Sequence, residues 1–130
     1  MISLILFVVA SAAMAIAETL DEKFSVSVFR NLNPEFWSKE KSYRNKDIYF
    51  PKLPRWIVRG PLVVFTDAWH IFKGISIVGF AGAVVAYRPV IMPGVDLVGL
   101  LLVYEGVFES LYGWLLVGKA DKEAAKHKMI

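Results

Sequence analysis

The stretch FTDAWHIFKGISIVGFAGAVVAY, residues 65–87, decides how the rest of the chain is read. Its last two-thirds hold no charge and carry Gly79 and Gly82, whereas its first two turns carry Asp67, His70 and Lys73. At about 1.5 Å per residue the stretch is long enough to cross a hydrocarbon core of about 30 Å. Thr66 and Asp67 offer an N-cap and Arg88-Pro89 a stop, so the pattern predicts one membrane-spanning helix. Asp67, His70 and Lys73 are three residues apart and share a face of it. Charges at membrane depth are costly and need a partner or a task.

Two further apolar segments flank this one. The first, about 2–20, has no charge before Glu18, and Ala10, Ala13 and Ala17 form a smooth stripe at helical spacing. A signal peptide cut after Ala15 or Ala17 fits the same residues, but the start lacks the Lys or Arg such a leader carries, so a retained helix is expected. The third segment, 95–117, follows a short turn with Pro93-Gly94 and carries Glu105 and Glu109. Gly99, Gly106 and Gly113 recur every seven residues along it, a face that a neighbouring helix can approach closely. The expectation is an all-α membrane protein, one domain over 1–130. The second and third helices form an antiparallel hairpin, 21–64 a cytoplasmic loop and 118–130 a cytoplasmic tail.

Composition agrees with that class. Of 130 residues 56% are hydrophobic, and the mean hydropathy is +0.50, against roughly 45–50% apolar content in ordinary soluble domains. The absence of cysteine removes disulfides, thiolate nucleophiles and Cys-based zinc sites. The net charge of +3 comes from loops beside apolar spans, where anionic lipid headgroups rather than nucleic acid account for it.

Basic residues also set the orientation. Lys23, Arg30, Lys39, Lys41, Arg44, Lys46, Lys52, Arg55 and Arg59 lie between the first two segments, and Lys119, Lys122, Lys126 and Lys128 lie in the tail. The turn between the second and third segments holds Arg88 alone. By the positive-inside rule the loop and tail are cytoplasmic and the N-terminus outside, as in a bacterial inner membrane. Within the loop, aromatics alternate with basic residues, and Trp37, Tyr43 and Trp56 are expected as interfacial anchors. Short amphipathic helices are expected near 22–32 and 34–43.

Depth arithmetic brings the charges together. Entering at Phe65, the second helix carries Asp67 to about 3 Å, His70 to about 7 Å and Lys73 to about 12 Å; Glu109 lies about 12 Å and Glu105 about 18 Å from the same surface. Lys73 and Glu109 are therefore expected to pair, with Glu18 close by and both glutamates of the third helix turned toward protein. In a functional reading, Glu18, Asp67, His70 and Glu109 supply oxygen and nitrogen ligands or carry protons. In a structural reading the same groups neutralise one another and Asp67 caps its helix. No metal motif, glycine-rich phosphate loop or oriented Ser-His-Asp set is present, so no cofactor is assigned.

The residues Asn31-Leu32-Asn33-Pro34-Glu35-Phe36-Trp37, Ser42-Tyr43-Arg44-Asn45-Lys46 and Thr66-Asp67-Ala68-Trp69-His70-Ile71-Phe72-Lys73 resemble a family of small uncharacterised bacterial and phage integral membrane proteins. The resemblance spans about 17–75. It implies an acidic residue at the end of the first helix, here Glu18, and a second acidic position, here Asp21, while Glu22 and Lys23 stand where histidines often follow. It implies a fold and no activity. The function expected is that of a non-catalytic accessory subunit, partnered by membrane lipids and by copies of itself or a larger membrane complex, with no nucleic acid. The alternative is a membrane-embedded enzyme or ion-coupled site acting on a lipid or cation.

Overall fold

A computed structural model describes residues 1–42 and 52–117. The described chain is all-helical, and one helix organises it. Helix α1, Ile2–Glu22, buries Ala10, Ala13, Ala17 and Leu20 on one face and Ser11, Ala15 and Thr19 on another. Two buried faces arise because two long helices pack on it: α5, Ala68–Val85, and α6, Pro93–Glu109. Between α1 and α5 the described residues form short helices, α2 (Pro34–Trp37), α3 (Lys39–Ser42) and α4 (Arg55–Val58), with 3-10 turns at Phe24–Val26 and Pro61–Phe65.

Small side chains let α1 and α5 come together. A Cβ on Gly79 would stand 2.8 Å from the Ala10 Cβ and 3.3 Å from the Leu6 carbonyl oxygen, so this crossing requires glycine. Ser3 donates to the Ala83 carbonyl at 2.7 Å, and Phe7 meets Phe80 edge to face at 5.3 Å, which fixes the other end of the crossing. The hydroxyls of Ser11 and Thr19 donate to the carbonyls of Phe7 and Ala15 one turn back, so each is satisfied within its own helix.

The turn 86–92 joins α5 to α6 and is held by one carboxylate. Asp96 accepts from the Tyr87 hydroxyl (2.8 Å) and from the backbone N–H groups of Val90 (2.8 Å) and Ile91 (3.2 Å). Pro93 is the first residue of α6 rather than part of the turn, because its fixed φ and missing N–H suit a first helical position. At its far end α6 runs directly into a π-helical turn, Ser110–Leu115, after which the Leu116 carbonyl accepts from Val28 N–H (2.8 Å) and Val117 bridges Ser27.

The structure revises the expected packing and the expected loop helices. The second and third segments do not pack mainly on each other: α1 is the partner of both, leaving an apolar groove of about 390 Å³ between α5 and α6 that Phe7, Phe80 and Leu97 help to line. Of the glycine stripe of the third segment, Gly99 and Gly106 face outward, since a Cβ added at either would meet nothing within 4 Å, and one added at Gly113 would meet only the Glu109 carboxylate of the preceding turn at 3.6 Å. The helix expected near 22–32 is absent, because α1 ends at Glu22 and the chain turns through Phe24–Val26 into irregular backbone; the one expected at 34–43 is broken into α2 and α3 at Ser38. The end of that expected helix, the anchor Tyr43 and the tail 118–130 lie outside the described residues.

Candidate functional site

The charged residues of the second segment meet the end of α1. Lys73 Nζ lies 3.0 Å from Glu18 Oε1 and 3.2 Å from the sulfur of Met14. One layer further out, Lys39 Nζ from α3 pairs with Asp21 at 2.5 Å. The Trp69 ring joins the two ion pairs, with the Lys39 ammonium 4.2 Å and the Lys73 ammonium 5.8 Å from its centroid, both within cation–π range. Among the described residues the buried Trp69 Nε1 has no hydrogen-bond partner, so the faces of the ring rather than its N–H hold it in place. Two carboxylates and two ammonium groups balance across this patch.

Asp67 and His70 form a separate pair one turn away. Asp67 is 1% exposed. Its Oδ1 accepts the His70 backbone N–H (2.9 Å), the N-cap read from the sequence. Its Oδ2 lies 2.7 Å from His70 Nδ1 and 3.2 Å from the Thr66 hydroxyl. A carboxylate accepts only, so the Nδ1–H donates to Asp67 and fixes the orientation of the ring. This pair is a helix cap that also fixes a ring.

Glu105 and Glu109 do not join the cluster, and the expected Lys73–Glu109 pair gives way to Lys73–Glu18. Helix α6 and its π turn place Tyr104, Phe108 and Tyr112 around the cleft that holds Lys73, their rings stacked at 5.5 and 5.2 Å. Residues one position further on are rotated by about 100°, so Glu105 and Glu109 point outward and are exposed. The aromatic ladder, with Met14, Glu18, Glu22 and Lys73, lines a cleft of about 420 Å³. Its outer end is closed by contacts that sequence reading missed: Tyr112 donates to Glu22 at 2.5 Å, and Lys23 Nζ stands 3.6 Å above the Tyr112 ring. The spacing of residues 104, 108 and 112 carries that signal; the partners on α1 carry none.

Glu18, Asp67, His70 and Glu109 therefore do not converge as one ligand set. Among the described residues no three His, Asp or Glu side chains are placed to hold a metal. Of the expected anchors, Trp56 is 74% exposed, whereas Trp37 is turned inward, stacked on Phe29 at 5.4 Å and tilted against Phe72 of α5 at 6.4 Å. Its ring docks the loop on α5. No family model, curated protein or solved structure matches the chain.

Proposed function

We propose that the chain is an integral membrane protein that crosses three times and serves as a non-catalytic component of a membrane assembly. Two helices, α1 and α5, are long and apolar enough to cross a bilayer. Their outward side chains are apolar too: Ile5, Val9, Ile77, Val78 and Val84 are all exposed, which a water-facing helix would not favour. Helix α6 with its π turn covers 93–115, roughly 33 Å at helical rise, and supplies the third crossing. The basic loop and tail then fall on one side, the cytoplasmic one. The buried faces of α1 favour a retained helix over a discarded leader, because its loss would strip α5 and α6 of their shared partner.

The observation that carries the assembly reading is α6, whose inward side chains are only partly buried and whose opposite face is uncovered. Val95, Val98, Leu102, Glu105 and Glu109 are exposed, and Gly99 and Gly106 face open space. A membrane helix that turns glycine and carboxylate outward needs protein against it. Native mass measurement in mild detergent, with cross-linking in the membrane beforehand, tests this. Species heavier than the 14.6 kDa chain are expected, and a monomer that cross-links to nothing would contradict it. No observation favours the enzyme or ion-coupled alternative, whose four groups are divided between two pairs and an outward carboxylate.

A further inference from the structure

The outward face of α6 also specifies the chemistry of what covers it, and this rests on the assembly reading above. Measured back from Leu115 at helical rise, Glu109 lies roughly 9 Å and Glu105 roughly 15 Å inside the span. They are one turn apart on the same face, and among the described residues neither has an ion-pair or hydrogen-bond partner. The cations within the bundle are engaged elsewhere: Lys73 with Glu18, Lys39 with Asp21, and Lys23 over Tyr112. Gly99 and Gly106 flank Leu102 on that face and leave room for a backbone to approach.

A second copy docking through the same face would bring the same two carboxylates and no cation, since α6 carries no Lys or Arg and the level Lys73 is paired with Glu18, so like charges would be brought together in low dielectric. We propose that the face docks a transmembrane helix of a different protein, one that presents an arginine or lysine at the level of Glu105 and Glu109. The glycines admit the partner helix, and the two carboxylates accept the guanidinium or ammonium, which removes the cost of carrying either charge alone.

The test uses the full chain in phosphatidylcholine vesicles and a labelled polyleucine transmembrane peptide with one arginine near its middle, read by energy transfer. The arginine peptide is expected to bind about tenfold or more tightly than an all-leucine peptide. Glu105→Gln with Glu109→Gln should abolish that preference, and Glu105→Asp with Glu109→Asp should keep it. Equal binding of the two peptides, or a preference that survives the double Gln change, overturns the proposal. So does self-association of the chain that the Gln changes strengthen, which would assign the face to a second copy. A heavy native species without arginine preference removes the partner's chemistry and leaves the assembly reading intact, whereas a monomeric native species removes the assembly reading itself.

Discussion

Rotation about α6 decides which carboxylate Lys73 meets. Depth along the helices makes Lys73 and Glu109 level, but the inward positions of α6 belong to Tyr104, Phe108 and Tyr112, and the carboxylate available on the nearest helix is Glu18. A double-mutant cycle separates the two pairings. Lys73→Met and Glu18→Gln should each lower the melting temperature and should show a coupling of about 1–2 kcal/mol, while Lys73→Met with Glu109→Gln should be additive. Coupling to Glu109 would refute the register. A second residue-level expectation concerns Tyr87. Its hydrogen bond to Asp96, together with burial and the carboxylate's charge, raises its pKa above the ordinary 10.0. The phenol therefore stays protonated, and the bond intact, further into alkali than an ordinary tyrosine. Absorbance titration of the protein against its Tyr87→Phe variant should reveal one late-ionising tyrosine, and Asp96→Asn should bring it down. At this scale the sequence exposed the Asp67 cap, because Thr-Asp before an apolar run is local chemistry. It did not expose Lys39–Asp21 or Glu22–Tyr112, whose partners lie 18 and 90 residues apart.

Glycine means opposite things on the two long helices that flank α1. In α5, Gly79 is a contact, and Gly79→Ala should cost about 1–3 kcal/mol through overpacking against Ala10. In α6, Gly99→Ala meets nothing in the chain and should raise its helix stability by up to about 1 kcal/mol. The same change should weaken the assembly, because the added methyl occupies the approach path of the partner. Thermal melting of the isolated chain beside native mass of the assembly measures both effects, and destabilisation of the isolated chain by Gly99→Ala would show that the stripe is internal. The sequence made the α6 glycines visible as a small-residue face and showed Gly79 and Gly82 only as members of an apolar run. Which set is filled depends on which helix occupies the centre of the bundle, and short connections suggested α5 with α6. The small residues of α1, buried on two sides, reverse that choice: a helix lined with alanine on one face and with Ser11, Ala15 and Thr19 on another admits two close neighbours, whereas Tyr104 and Phe108 on α6 hold α5 at a distance bridged by the Phe80–Tyr104 contact at 6.1 Å.

For the whole molecule, helical class and the two long apolar helices are the parts that sequence physics reaches, since they depend on summed hydropathy. The third crossing and the sidedness belong to the proposal and rest on where Lys and Arg fall. Packing order and the fate of each charge depend on helix rotation, which apolar segments encode weakly because every side of them is apolar. The account stands on α6 crossing the bilayer: only then are Glu105 and Glu109 at a depth where another chain must neutralise them. Because the natural chain has no cysteine, single cysteines report without background. The measurement is labelling of Lys41→Cys, Met92→Cys and Lys126→Cys in intact cells with a membrane-impermeant thiol reagent, Lys41 and Met92 being exposed in the structure. The account predicts that the Met92 position labels at once and that the Lys41 and Lys126 positions label only after permeabilisation; labelling of Lys41 and Lys126 from outside, or protection of Met92, would contradict it.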